Sequence, residues 1–175
     1  MLFINYFKGQ PNEYIIKFGK GKIRKEGHGI SFFYMKSRSS VVSIPTTTVD
    51  ANFIFNEMTQ TFQAVTIQGQ LTYRIGDVKK IFALLDFSIN PRTGEYLSED
   101  PGKLAQRIIN AVQMLTRAGV QELSLEEALN RSESIALTVL DKIRGDEKIN
   151  SMGVSVESIY FTSVTPIPEI GKALE

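Results

Sequence analysis

Few residues of this sequence have side chains that commonly do chemistry at an enzyme centre. The 175 residues include no Cys and a single His, His28, so imidazole catalysis or zinc binding would depend on one residue. The glycine–lysine segment Phe18–Lys22 lacks the spacing of a phosphate-binding loop and does not lead into a helix. Ser and Lys are plentiful, but no pattern orients a Ser–Lys dyad. The sequence therefore predicts no enzyme, no catalytic residues, no cofactor and no metal site.

Positive charge is concentrated near the start of the chain, although the net charge is only +1. The first 45 residues hold eight Lys and Arg against two Glu, and acidic groups are in excess in the remainder. If residues 14–18 and 23–26 form a hairpin, its cations crowd one end of the domain and suit anionic lipid or an acidic protein surface. A solvated charged hairpin is the alternative. The candidate lipid-binding or partner-binding residues are Lys17, Lys20, Lys22, Arg24 and Lys25.

Apolar residues precede this basic region. Leu2, Phe3, Ile4, Tyr6 and Phe7 either add a shallow interfacial contact with lipid or pack on the domain. No apolar run approaches the roughly 20 residues that span a bilayer, and the first ten residues are not expected to act as a signal peptide. A cytoplasmic chain, peripheral at the inner face of the membrane, is the expectation.

The clearest structural pattern is the segment Val65–Ile75. Apolar and polar side chains alternate along it, which predicts a long strand with one buried and one wet face. Gly69 falls on the apolar parity, and this indicates a bulge or a close neighbour. One wet face favours an antiparallel sheet.

The other elements follow from turn residues and caps. Before this strand, short strands are predicted at 14–18, 23–26, 30–34 and 41–44, separated at Gly27-His28-Gly29 and elsewhere by turns, and 46–55 is β-prone but ambiguous. After it, Asp77 caps a helix over 78–85, and a longer helix runs from Asp100-Pro101 to Gly119. Ser124 and Glu127 form a capping box for a second long helix that ends at Met152-Gly153.

A strand returns at 154–164, with Val154, Val156, Tyr160 and Val164 on one parity. Ile159 and Phe161 lie on the other parity, so the strand is expected to be covered on both sides. Pro168 is then expected to open a helix that continues past Glu175 as a coiled coil. The predicted organisation is an N-terminal segment (1–13), one domain (14–166) and the start of a C-terminal helix (167–175). The fold class is α+β: a mainly antiparallel, curved sheet with a helix hairpin on one side.

In this order, the elements resemble an SPFH (band 7) domain, the module shared by stomatin, prohibitin and flotillin. The resemblance covers residues 14–175 and depends on several segments together. They are Tyr14–Gly19 with Glu26–Gly29, Val65–Ile75 with Asp77, Leu123–Arg131, and Met152–Val156. In two respects the chain departs from the family pattern: residues 1–13 are not expected to form the hydrophobic anchor with which family members often begin, and His28 stands where the opening turn usually carries Pro.

The resemblance implies a non-enzymatic, oligomerising scaffold that organises membrane-associated assemblies. Its expected partners are further copies of the chain, a membrane surface and a protein such as a membrane protease; nucleic acid is not expected. A soluble adaptor or regulator of a protease or another protein, without membrane contact, is the alternative. A hydrolase with an unrecognised Ser–Lys dyad is the third hypothesis.

Overall fold

A computed structural model describes residues 3–169 and confirms an α+β fold with antiparallel sheets and several helices. The strands are β1 (Ile4–Lys8), β2 (Glu13–Gly19), β3 (Lys22–His28), β4 (Ser31–Met35), β5 (Ser39–Pro45), β6 (Val49–Met58), β7 (Ala64–Ile75), β8 (Ser88–Ile89) and β9 (Val154–Pro166). The helices are α1 (Val78–Leu84), α2 (Asp100–Val120), α3 (Leu125–Asn130), α4 (Ser132–Arg144) and α5 (Glu147–Ser151).

The strands are divided among three sheets, with the orders β1-β4, β3-β2-β5-β8 and β6-β7-β9. The chain also separates into two compact units. The first unit comprises residues 1–48, 74–106 and 148–155, and the second comprises residues 49–73, 107–147 and 156–175.

The four-stranded sheet of the first unit is built on β2, which pairs antiparallel with β3 on one side and with β5 on the other. Its central strands supply buried β-branched side chains, including Ile15, Ile16, Val41 and Ile44. Such residues pack well on a pleated surface. Both faces of β5 are largely buried. Strand β3 forms one edge, and six of its seven residues are exposed.

A two-stranded ribbon of β1 and β4 also belongs to the first unit. The strands pair antiparallel in a register that places Tyr6 opposite Phe33 and Phe7 opposite Phe32. Strand β1 lies within the segment 1–13 that the sequence analysis set apart from the domain, and it was not predicted. It was missed because Phe3, Ile4, Tyr6 and Phe7 put apolar residues on both parities, which hides the period of two.

In the second unit, β6 and β7 pair over ten residues, from Val49 opposite Tyr73 to Met58 opposite Ala64. The predicted inward parity of β7 is confirmed, since Val65, Ile67 and Leu71 are almost completely buried. Gly69 marks a close neighbour, as predicted: a Cβ there would meet the ring of Phe53 and the carbonyl oxygen of Tyr160.

The second unit also contains a buried charge. The Glu57 carboxylate on β6 accepts hydrogen bonds from Arg117 Nε at 2.8 Å and Gln113 Nε2 at 3.0 Å, both on α2. Glu57 is only 4 % exposed, and the paired guanidinium satisfies an ion that would otherwise be costly to bury. The hydrogen bond and the nearby negative charge raise the pKa of Arg117 above its usual value.

Two predictions about the long helices are wrong, the end of the first at Gly119 and the continuity of the second up to Met152-Gly153. Helix α2 continues to Val120, and the Gln121 amide still donates to Arg117 O, so Gly119 lies inside the helix. The capping box of Ser124 and Glu127 is confirmed, but the helix that it begins ends at Asn130. At Arg131 the backbone (φ −112°, ψ 21°) leaves the helical region, and α4 follows as a separate helix. Helix α4 ends at Arg144, and the short helix α5 precedes Gly153.

The last strand has buried residues on both parities, as predicted, but they follow one another along the strand. Val154 and Val156 are buried, but the buried parity then changes, because Ile159 is 3 % exposed and Tyr160 is 63 % exposed. The change follows the carbonyls of Val156 and Glu157, which accept hydrogen bonds from Arg144. The helix expected from Pro168 falls mainly on residues 170–175, outside the described residues; residues 167–169 have no helical or strand assignment.

Candidate functional site

One face of the β1–β4 ribbon carries three large, exposed apolar side chains. Ile4 is 63 % exposed, Tyr6 is 58 % exposed and Phe33 is 66 % exposed. The rings of Tyr6 and Phe33 lie directly across the ribbon, with their centroids 5.1 Å apart. We call Ile4, Tyr6 and Phe33 the aromatic face.

The opposite face of the ribbon is buried in the first unit. Phe7, Phe32 and Tyr34 belong to a core cluster with Ile15, Val41 and Ile89. Successive side chains of a strand point to opposite faces, so the run Phe32-Phe33-Tyr34 places its first and third residues inward and Phe33 outward. A ribbon that is packed on one side and apolar on the other is a candidate binding surface.

Two of the five predicted cations contact the ribbon. Lys17 donates from Nζ to the carbonyl oxygen of Phe33 at 2.8 Å and lies 5.1 Å from the centre of the Phe32 ring. Lys25 donates from Nζ to the carbonyl oxygen of Ser31 at 3.1 Å. The two lysines are paired across β2 and β3, where like charges repel, and each is stabilised by its carbonyl.

The other three cations lie at or near the turn between β2 and β3. Lys20 and Lys22 are exposed there, and Lys20 has a left-handed backbone (φ 54°). Arg24 points back and donates from Nε to the carbonyl oxygen of Gly19 at 3.0 Å. The predicted set is therefore split into a ribbon pair, Lys17 and Lys25, and a turn group, Lys20, Lys22 and Arg24.

None of these five cations forms an ion pair with a carboxylate among residues 3–169. Their charge is thus uncompensated locally, which leaves it available to an anionic partner. Hydrogen bonds to carbonyls orient the ribbon pair without neutralising it.

His28, the one imidazole, is not in a turn as predicted; it is the last residue of β3. Its ring meets the Tyr14 ring edge-on at a centroid distance of 5.1 Å. Partial burial, together with the charge and hydrogen bond of Glu26, raises the pKa of Tyr14. These contacts place His28 in an aromatic pair at the edge of the sheet.

Sequence reasoning missed Phe33 and two further cations, Lys36 and Arg92. A signal for Phe33 was available, because three consecutive aromatic residues in one strand must place one on the outer face. No sequence signal joined Lys36 to Arg92: they are 56 positions apart, and the structure brings both to one groove.

The comparison with known families agrees with this architecture. Residues 7–175 match the model of the SPFH domain / Band 7 family, and the chain therefore belongs to that family. Members of this family are, in general, membrane-associated scaffolds without enzymatic activity. No curated protein matches the chain significantly.

Between residues 3 and 169, no helix is both long enough and apolar enough to cross a bilayer.

Proposed function

We propose that this SPFH domain is a non-enzymatic scaffold that docks on an anionic membrane surface through the aromatic face of its ribbon. The observation that carries the proposal is the exposure of Ile4, Tyr6 and Phe33 on a ribbon whose other face is packed. Family membership supports the class, and the unpaired cations beside the ribbon support the anionic character of the surface.

Two free-energy terms contribute to such docking, and their sizes differ. Partial burial of three large side chains contributes on the order of 3–5 kcal/mol. Each cation near anionic lipid adds about 1 kcal/mol, and salt weakens that term within a Debye length of about 8 Å. We therefore expect weak, reversible docking that salt reduces but does not abolish.

Vesicle sedimentation tests the proposal. Neutral and anionic vesicles at low and high salt are compared for the wild type, the apolar variant Tyr6→Ser plus Phe33→Ser, and the charge variant Lys20→Glu plus Lys22→Glu. The apolar variant should lose binding at both salt concentrations, whereas the charge variant should lose it mainly at low salt.

The chain offers a matched control. Ile54 is 66 % exposed, as Phe33 is, but it stands opposite Gln68 on a polar face. Ile54→Ser should leave vesicle binding unchanged. If wild type binds no vesicle under any condition, or if Ile54→Ser reduces binding as much as the apolar variant does, the docking proposal is wrong.

The non-enzymatic part of the proposal is supported by family membership, since Band 7 members are in general scaffolds without enzymatic activity. A fluorophosphonate serine probe and a panel of peptide and ester substrates test it. Turnover that one Ser or Lys substitution abolishes would contradict the proposal and favour the hydrolase hypothesis.

A second candidate function is a protein-binding adaptor, and the open edge of β3 favours it. An exposed edge strand presents unpaired backbone groups to which an extended peptide can add. Lys22, Arg24 and Lys25 disfavour pairing with a second copy of β3 and complement an acidic segment. Fluorescence anisotropy with an acidic, β-prone peptide tests this, with a basic peptide of the same length as control. Equal anisotropy with both peptides would count against the adaptor.

Self-association is the remaining part of the scaffold proposal. Light scattering over a range of protein concentrations should show a mass that rises with concentration and exceeds that of one chain. A constant single-chain mass would restrict the proposal to docking by the isolated domain.

A further inference from the structure

A groove of about 580 Å³ lies in the first unit, beside the ribbon and the edge strand β8. Its volume is in the range of pockets that hold small organic ligands. One wall comes from the ribbon and the start of β5, and the other from β8 and the loop that follows it. The lining includes Tyr34, Lys36, Arg92 and three apolar residues, Val41, Ile89 and Leu97.

The polar part of the groove lining is positively charged and rich in hydroxyl groups. It contains two cations, Lys36 and Arg92, several hydroxyl groups and no carboxylate. Neither cation forms an ion pair or side-chain hydrogen bond with any residue that the structure describes. Both side chains are exposed, and two unpaired positive charges around a concave surface attract an anion.

Tyr34 adds a hydroxyl group to this lining. Its ring packs in the core cluster, and the residue as a whole is 5 % exposed. The hydroxyl makes no hydrogen bond with residues 3–169, yet no side-chain polar atom that the structure describes is both buried and without a partner. The hydroxyl is therefore accessible, and because Tyr34 lines the groove, a bound ligand can accept a hydrogen bond from it.

The wall that carries Arg92 is held in a defined conformation. The Asn90 side chain accepts a hydrogen bond from the Arg92 amide at 2.9 Å, and the Asn90 carbonyl accepts one from Gly94 at 2.7 Å. Tyr96 donates from its hydroxyl to Ser43 O at 3.2 Å and packs edge-on against Phe87. A preformed wall lowers the entropy cost of binding.

From this lining we infer that the groove binds a phosphate monoester. A phosphate monoester carries a charge of about −1.5 to −2 at pH 7, which two cations match. Hydroxyl and guanidinium donors suit its oxygens, since the planar fork of Arg binds phosphate through two parallel hydrogen bonds. The apolar part of the lining, with Val41, Ile89 and Leu97, suits the carbon skeleton that bears the phosphate.

Two sources present this chemistry: the headgroup of a lipid with a terminal phosphate, or a small soluble phosphate ester. The inference goes beyond docking by the aromatic face, because a soluble ester would bind without any membrane. The test therefore has a soluble arm and a membrane arm.

The soluble arm is a calorimetric titration with inositol monophosphate, with inositol as the uncharged control. Wild type should bind the phosphate ester and not inositol. Lys36→Glu plus Arg92→Glu should weaken binding by at least about tenfold, since hydrogen bonds to charged groups contribute strongly. Lys80→Glu, an exposed cation on α1, is the control for a charge change outside the groove.

A milder variant controls for loss of binding that is caused by misfolding. Tyr34→Phe keeps the buried ring and breaks no hydrogen bond of the described structure, so the protein should melt at the wild-type temperature. Loss of the hydroxyl should weaken binding by roughly threefold to tenfold. The apolar variant of the ribbon should bind the soluble ester normally, which separates this inference from the docking proposal.

The membrane arm compares vesicles that contain phosphatidic acid, a phosphate monoester, with vesicles of equal surface charge that contain phosphatidylglycerol, a diester. Preference for phosphatidic acid that is lost in the groove variant identifies the lipid as a source. Binding of the soluble ester with no vesicle preference identifies a soluble ligand. If neither arm responds to the groove variant, or if Lys80→Glu has the same effect, the inference is overturned.

Discussion

Two antiparallel strand pairs of this protein, β6–β7 and β1–β4, have similar inner faces and opposite outer faces. In both pairs the inner face is apolar and packed, with Phe53 and Phe55 in one and Phe7 and Phe32 in the other. On the outer face of β6–β7, Thr72 bonds Asp50 at 2.6 Å and Thr66 bonds Asn56 at 2.9 Å. The outer face of β1–β4 has an aromatic pair instead.

The difference shows which of the two outer faces is suited to contact with water. Cross-strand hydrogen bonds between polar side chains stabilise a solvated sheet face. An outer face of Ile4, Tyr6 and Phe33 is not explained by solvation, and it suits a partner that removes it from water. The comparison therefore indicates a structural role for the outer face of β6–β7 and supports the binding role proposed for that of the ribbon.

The largest effect is expected from the inner face of the ribbon. Phe7→Ala should lower the free energy of unfolding by about 3 kcal/mol, because truncating a buried Phe leaves a cavity. Phe7 is 7 % exposed and its ring stacks on Phe32 at 5.2 Å. Urea denaturation measures the change. A loss below about 1 kcal/mol would show that the ribbon is loosely packed and would contradict the similarity of the two inner faces.

The corresponding test in the second unit is Gly69→Ala, which should cost about 2 kcal/mol through overpacking against Phe53 and the backbone of Tyr160. Gly102→Ala is the control, since Gly102 lies in α2 and a methyl group there would enter open space. That control should raise stability by about 0.5–1 kcal/mol, because Ala favours helix more than Gly does. Equal melting temperatures for the two variants would contradict the close approach at Gly69.

Much of the fold was predictable where the periodicity of the side chains and the capping residues indicate the same element. Strand β7 has a clean alternation, Asp77 caps α1 through the amides of Lys79 and Lys80, and Ser124 forms its capping box. Boundaries failed where local signals conflict with longer-range contacts. Gly119 is a typical C-terminal residue of a helix, yet the helix continues past it.

The candidate site was less predictable than the fold. The turn group could be found because Lys20, Lys22 and Arg24 are close in sequence. The aromatic face depends on the pairing of β1 with β4, whose partners are more than twenty positions apart. The groove depends on the meeting of Lys36 and Arg92, and pairing between distant segments is not encoded in local patterns.

A smaller effect is expected on the outer face of β6–β7. Thr72→Val retains the shape and strand preference of the side chain but removes its hydrogen bond to Asp50. We expect a loss of about 1 kcal/mol in the free energy of unfolding, a typical contribution of one hydrogen bond. Thermal denaturation of Thr72→Val and of Asp50→Asn in parallel measures it. Unchanged stability in both would mean that this face is merely polar and not stabilised by its cross-strand bonds.

The smallest effect on stability is expected for Phe33→Thr, and that result would sharpen the comparison most. Phe33 is exposed, so replacing it with another strand-forming residue should change the free energy of unfolding by about 0.5 kcal/mol, mainly through its contact with Tyr6. The retention of the Phe33→Thr variant on a hydrophobic interaction column should nevertheless fall clearly, because the exposed apolar area of the aromatic face is smaller. Ile54→Thr, equally exposed but isolated among polar neighbours, should change neither stability nor retention appreciably. If Phe33→Thr destabilises the protein as much as Phe7→Ala does, the outer face of the ribbon supports the fold. In that case the binding role assigned to it would have to be withdrawn.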